Sequence, residues 1–387
     1  MKKILLSVFI ILLVMTTNTV YGKDVFTEST LQYVSENVKE PNVQALCAVA
    51  VDLDSGKILY EKNALLRNAP ASTTKMMTAI VTVENSNLDD IVTISRKAAG
   101  MDGSVMGLYT GQQLTVKELL YGLLLCSGND AAVALAEHIG GDMESFARLM
   151  NEKAEELGLK DTHFVNSHGL DAEGHYSNAY ELAKIGAYAL SHDIIKEIVG
   201  TKFAHIAGRN LTNTNELLGY YEGVYGLKTG FTNKAGRCLV TSAKRGDLNV
   251  ITVVLNSPTK KARTISTIRI LDYVFDNFDY FPIVSKGERF ADVTVKKGIQ
   301  REVDLVVRED IRMLLAKKDV AGLKYTCIFP ESLTAPVIQG TEVGKLKITR
   351  GNEVLLDIPL VAAEDVGVRN TIYYLKEIGK NLMDLMR

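Results

Sequence analysis

Three short segments carry residues able to do nucleophilic chemistry together: Ser72-Thr73-Thr74-Lys75, Ser127-Gly128-Asn129 and Lys228-Thr229-Gly230. At i and i+3 on a helix, Ser72 and Lys75 share one face, so the amine can reach the hydroxyl. A serine hydroxyl is a weak nucleophile until a base removes its proton. Lysine serves as that base when neutral, and a second cation nearby, here Lys228, favours the neutral form. A backbone N–H at the helix start lies where an oxyanion can form. Ser127 offers a hydroxyl to relay a proton to a leaving amine, and Asn129 an amide to hold Lys75 and a substrate carbonyl. A Lys228-Thr229-Gly230 strand can pair an extended peptide. Gly230 permits close approach, and Lys228 and Thr229 suit a carboxylate. Each segment is weak evidence alone. Ser-x-x-Lys recurs at Ser257–Lys260 and Ser-x-Asn at Ser35–Asn37, and a serine such as Ser72 more commonly caps its helix. Order and context separate the three segments from these repeats.

The stretches PASTTKMMTA (70–79), CSGNDAAVALAEHIGG (126–141), THFVNSHGLD (162–171) and GLKTGFTNKAGRCLVTSA (226–243) resemble the low-molecular-mass penicillin-binding proteins, serine-type D-Ala-D-Ala carboxypeptidases. The resemblance spans about residues 25 to 280, and a β-rich second domain resembles that family's own. It implies an acyl-enzyme on Ser72, with Lys75 as general base and Ser127 as proton relay. It also implies an oxyanion hole from the N–H groups of Ser72 and Phe231, and a terminal carboxylate read by Arg263. Phe231 stands where relatives carry a histidine. The implied partners are a peptidoglycan stem peptide ending in D-Ala-D-Ala and β-lactam antibiotics, with no cofactor and no metal.

The elements that must position these groups follow from patterning. Residues 47–52 and 57–61 read as a hairpin around Asp54-Ser55-Gly56, and 72–83 as an apolar helix. Residues 115–200 read as mostly helical, with a Thr115/Glu118 capping box and an N-terminus at Asn178/Glu181. Strands return at 223–229, 237–243 and 250–255, before a helix over 260–279 with Ile265, Ile268, Leu271 and Phe275 on one face. Two strands before and three after a helical block can close one antiparallel sheet. The expected fold is α+β, a penicillin-binding/serine β-lactamase-like domain with a helical subdomain. From 284 to 365 short alternating segments punctuated by Gly298, Gly340 and Gly351 predict a small all-β domain.

Lys2-Lys3, the apolar run Ile4–Met15 and Val20-Tyr21-Gly22 read as a cleavable signal peptide over 1–22. The catalytic domain is then expected over 23–283. The run is short of the roughly 20 residues a spanning helix needs. From Val366 to the end, Ile372, Leu375, Ile378, Leu382, Leu385 and Met386 fall on one side of a helix. Arg369, Lys376, Glu377, Lys380, Asp384 and Arg387 fall on the other, which suits a membrane-surface helix. The expected location is outside the cell on the outer face of the cytoplasmic membrane, or the wall space. The chain has 387 residues, 44 Lys+Arg against 46 Asp+Glu and four scattered cysteines. No basic field argues for nucleic acid, and the cysteines suit free thiols better than a disulfide scaffold.

His163, His168 and His175 cluster near Asp171 and Glu173 without a metal-ligand spacing and read as structural. Two alternatives to a carboxypeptidase remain. A class A β-lactamase needs a Glu to activate the deacylating water, and no Glu-x-x-Leu-Asn occurs in the helical block. A β-lactam or wall-peptide sensor without turnover is disfavoured by intact Ser72, Lys75 and Ser127.

Overall fold

The computed structural model describes residues 40–385. The signal-peptide reading, the Ser35–Asn37 repeat, Met386 and Arg387 lie outside the described residues. The chain divides after Phe278 into two compact units.

In the first unit, β1 (Cys47–Asp52) and β2 (Ile58–Lys62) form the hairpin. A 3-10 turn over Ala71–Thr74 feeds α1 (Lys75–Asn85). The helical region follows: β3 (Ile91–Thr93), α2 (Arg96–Ala99), β4 (Gln113–Thr115), α3 (Val116–Leu124), α4 (Asn129–Gly140), α5 (Met143–Glu156), α6 (Ala179–Leu190) and α7 (Asp193–Gly200). A hairpin of β5 (Phe203–Ile206) and β6 (Arg209–Thr212) leads to β7 (Val224–Thr232), β8 (Gly236–Arg245), β9 (Leu248–Ser257) and α8 (Lys260–Asn277). The sheet order β2-β1-β9-β8-β7 is the expected antiparallel closure, and β7, carrying Lys228-Thr229-Gly230, is its edge.

Alternation along β8 assigns its two faces. Val240 joins the large core with Ile251, Leu227 and the helical block, whereas Leu239 and Ala243 pack with Leu271 of α8. Gly186 brings α6 onto the first face, where a Cβ would stand 2.5 Å from Ile251 Cδ1. The Thr115/Glu118 capping box and the Asn178 cap both form. Residues 157–178, expected to be mostly helical, form a loop instead. Asn166 accepts the Gly169 N–H at 2.7 Å and donates to Leu170 O at 3.0 Å, so side chain-to-backbone bonds outcompete the helix. The β5–β6 hairpin lies between the expected helical block and the expected strand at 223, in a stretch to which the patterning assigns no element.

The second unit begins at Asp279. Its strands are β10 (Phe278–Val284), β11 (Arg289–Lys296), β12 (Glu302–Val306), β13 (Ile311–Ala316), β14 (Leu323–Ile328), β15 (Ser332–Thr334), β16 (Glu342–Arg350) and β17 (Glu353–Ala362). Six of them form the sheet β14-β16-β17-β12-β11-β15, and β10 pairs with β13. A core of Val293, Val303, Leu305, Leu346, Ile348 and Leu360 fills this unit. Helix α9 (Thr371–Leu385) ends it. The helix starts at Thr371, not at the expected Val366: Val366 is fully buried in the β core and exchanges backbone bonds with Val337 at 2.8 and 3.0 Å.

Candidate active site

Ser72 sits on the 3-10 turn, and its hydroxyl caps nothing. Lys75, the first residue of α1, is wholly buried. Its Nζ lies 3.0 Å from Ser72 Oγ, 2.8 Å from Asn129 Oδ1 and 2.7 Å from the His168 carbonyl oxygen. The Asn129 amide is oriented by its own Nδ2, which donates to Asp102 O at 2.7 Å. Oδ1 must therefore face the amine. Burial, and next the charge of Lys228, push the Lys75 pKa well below that of an ordinary lysine.

Ser127 lies buried in the loop between α3 and α4 at φ 63°, in the left-handed region. That conformation costs a β-carbon-bearing residue roughly 1–2 kcal/mol, so the loop must be held from outside. The Asp130 carboxylate does so, accepting the N–H groups of Met106, Gly107 and Leu108 at 2.8, 2.8 and 3.0 Å. The Asn129 N–H donates to Ser104 O at 2.7 Å.

On β7, Lys228 is buried and donates to Thr229 O at 3.0 Å. Burial lowers its pKa to about 7; Cys126 opposes that shift and Arg263 adds to it. Gly230 lies against the 3-10 turn: a Cβ there would stand 3.1 Å from Ala71 Cβ and 3.2 Å from Ser72 N. The missing side chain lets edge strand and nucleophile share one cleft wall. Phe231, half exposed, carries the Arg237 guanidinium 3.5 Å above its ring. Arg263, on the first turn of α8, is 4% exposed and its Nη2 donates to Glu216 Oε1 at 2.7 Å.

The structure thus joins Ser72, Lys75 and Asn129 by direct contact and sets Lys228 within electrostatic reach of Lys75. Arg263 stands further off, ion-paired, and acts on Lys228 through its charge. The Ser257–Lys260 repeat is no second site. The Ser257 hydroxyl ends β9 bonded to Gln44 O, while Lys260 opens α8 and pairs with Glu216 at 3.3 Å.

Sequence reasoning missed several contributors. The His168 carbonyl holds Lys75, yet a main-chain oxygen leaves no signal in residue type. Asp130 adjoins Asn129 and reads as ordinary helix-start acid. Thr214 Oγ1 lies 2.6 Å from Thr229 Oγ1, and the segment holding it shows no patterning. The clustered histidines divide into separate tasks. His175 Nδ1 accepts the Val165 N–H at 3.0 Å, so its Nε2 donates to Thr74 Oγ1 at 2.8 Å. Burial lowers the pKa of His175 to about 4. All four cysteines are free thiols, Cys126 and Cys327 partly exposed.

The family model described as D-alanyl-D-alanine carboxypeptidase matches residues 34–259, and that for the C-terminal domain of penicillin-binding protein 5 matches residues 278–368. D-alanyl-D-alanine carboxypeptidase DacF of Bacillus subtilis is 37% identical over 97% of each chain. DacC of Escherichia coli is 35% identical over 86% of each. Among solved structures, penicillin binding protein 5 from Haemophilus influenzae superposes with a TM-score of 0.67 at 33% identity, over 86% of this chain and 100% of that one. With a catalytic fold and a second domain that both match, the chain belongs to the D-alanyl-D-alanine carboxypeptidase family, the low-molecular-mass penicillin-binding serine peptidases.

Proposed function

We propose that the chain removes the terminal D-Ala from peptidoglycan stem peptides through an acyl-enzyme on Ser72. The observation that carries this reading is the set of partners around Lys75 Nζ. A neutral amine has two N–H bonds and one lone pair. Asn129 Oδ1 and His168 O can only accept, so they take both N–H bonds. The lone pair is left for the Ser72 hydroxyl at 3.0 Å. Ser72 Oγ attacks the carbonyl carbon of the penultimate D-Ala while its proton passes to Lys75. The N–H groups of Ser72 and Phe231 receive the oxyanion. Collapse breaks the C–N bond, and the departing D-Ala amine takes a proton from Lys75 through Ser127. Water, deprotonated again by Lys75, hydrolyses the ester. Lys228, Thr229 and Arg263 receive the terminal carboxylate, and Gly230 lets the peptide lie against β7. Penicillin enters by the same route and leaves a slowly hydrolysed acyl group. Incubation with an N-acylated tripeptide ending in D-Ala-D-Ala is expected to release one equivalent of free D-Ala per peptide. Ser72→Ala, folded by circular dichroism, is expected to release none; release by that variant would overturn the reading.

Residues 1–22 export the chain, the catalytic domain runs from 23 to Phe278 with the β-rich domain from Asp279 through Val366, and α9 holds the enzyme on the outer face of the cytoplasmic membrane. Among the described residues no helix is long and apolar enough to cross a membrane. On α9, Ile372, Leu375, Ile378 and Leu382 are each more than half exposed, and Met383 joins their stripe. A helix of this kind lies in the interface, bound by apolar area and by attraction to anionic lipid. The cut that tests this must fall after Asn370, because Val366 belongs to the β core. Chain 23–370 is expected to stay soluble and to keep its rate on a small peptide, while 23–387 sediments with anionic vesicles and partly dissociates in salt. Sedimentation of both would place the anchor elsewhere.

A further inference from the structure

The segment Asn213-Thr214-Asn215-Glu216 joins three parts of the site. The Thr214 N–H donates to Leu125 O at 3.1 Å, just before the Ser127 loop, and the Thr214 hydroxyl meets that of Thr229 on β7. Asn215 Nδ2 donates to Gly226 O at 2.8 Å, also on β7. Glu216 then turns to α8. Its Oε1 accepts from Arg263 Nη2 at 2.7 Å and from the Thr264 hydroxyl, and its Oε2 lies 3.3 Å from Lys260 Nζ. One carboxylate thus gathers three side chains from the first turn of α8.

A guanidinium is a planar fork of five N–H donors. A carboxylate on one of its nitrogens fixes the plane and leaves the other donors for a second anion. Arg263 is nearly fully buried, and its Nε has no partner among the described residues. The fork is therefore held at Nη2 and uncommitted at Nε. Without Glu216, the buried cation would lose its compensating charge and its fixed direction.

We infer that Glu216 is a positioning residue for substrate selection, holding the Arg263 fork in the plane in which it receives a peptide's terminal carboxylate. The inference rests on the reading of Arg263 as the carboxylate receiver. Burial alone would raise the Glu216 carboxyl; the Thr264 hydroxyl and the Arg263 guanidinium hold it below the ordinary glutamate range instead, so it stays ionised at neutral pH.

The test compares full-length wild type, Glu216→Ala, Glu216→Asp, Arg263→Ala and the double variant Glu216→Ala/Arg263→Ala. The substrates are an N-acylated D-Ala-D-Ala tripeptide as the free acid and as the C-terminal amide. Arg263→Ala is expected to lower kcat/KM for the acid and spare the amide; equal losses on both would overturn the reading of Arg263 itself. Given a selective Arg263→Ala, Glu216→Ala is expected to lower kcat/KM for the acid about tenfold or more, through KM, with the amide little changed. The double variant is expected to be no worse than Arg263→Ala, since Glu216 acts only through the arginine. Glu216→Asp, which withdraws the carboxylate by one methylene and keeps its charge, is expected to show the same selective loss and decides the matter if the alanine variant does not fold. Equal losses on acid and amide, no loss, or additive losses in the double variant would overturn the role of Glu216.

Discussion

Lys75→Arg is expected to slow acylation by about 10²–10⁴, the scale of general-base catalysis. Arginine keeps the positive charge but does not give up its proton at any working pH. It thus keeps a cation at this position and removes the basicity that the neutral amine supplies. The pH profile gives a second readout. Burial and the charge of Lys228 lower the Lys75 pKa from 10.5, so the neutral amine exists at lower pH than in an ordinary lysine. In the wild type, kcat/KM is expected to fall as pH drops through that lowered value and the amine takes up a proton. Lys228 opposes the fall, because with its own pKa of about 7 it gains a charge as pH drops, and that charge disfavours a proton on Lys75 and moves the limb to lower pH. The arginine variant is expected to lose this acid limb. Stopped-flow acylation by a chromogenic cephalosporin across pH checks both outcomes; an undiminished rate in the variant would remove Lys75 from the chemistry.

Gly169→Ala is expected to disable the site from outside its three sequence segments. Gly169 follows the carbonyl that holds Lys75 and has φ 86°. A Cβ there would stand 1.9 Å from Ala71 O and 3.0 Å from Ser72 N. Both are backbone atoms of the turn that carries the nucleophile, and Ala71 is itself at φ 50°. The loop has little room to give way: Thr78 Oγ1 donates to Ser167 O at 2.6 Å, and Ser167 Oγ donates to Ala132 O at 2.9 Å. Overpacking of about 1–3 kcal/mol and a left-handed alanine at about 1–2 kcal/mol together give a loss of about 2–5 kcal/mol in denaturant unfolding. Acylation is expected to fall in parallel, because displacement of the loop takes the His168 carbonyl from the amine. Wild-type stability and rate in this variant would show that the loop is not a fixed wall of the site.

Much of this site is legible from residue types because its chemistry is local. Ser72 and Lys75 meet through helix spacing alone, and the sheet order follows from counting strands on either side of a helical block. What escaped depends on main-chain groups or on contacts between distant segments. The His168 carbonyl has no identity in a sequence, and Glu216 reaches Arg263 across 47 positions. Residues 157–178 fill a helix-rich region with a loop because Asn and Ser side chains bond the backbone there. Val366 illustrates the converse. At 100° per residue it falls opposite the apolar stripe of the tail helix, and the pairing with Val337 assigns it to the β core.

The central claim is that Ser72 carries the acyl group, and mass spectrometry tests it most directly. After brief incubation with penicillin and digestion by trypsin, one adduct is expected, on the peptide Asn68–Lys75 or its missed-cleavage product, with fragmentation placing the mass on Ser72. The adduct is expected to disappear in Ser72→Ala. An adduct on Ser257 or Ser127, or one that persists when Ser72 is replaced, would contradict the account.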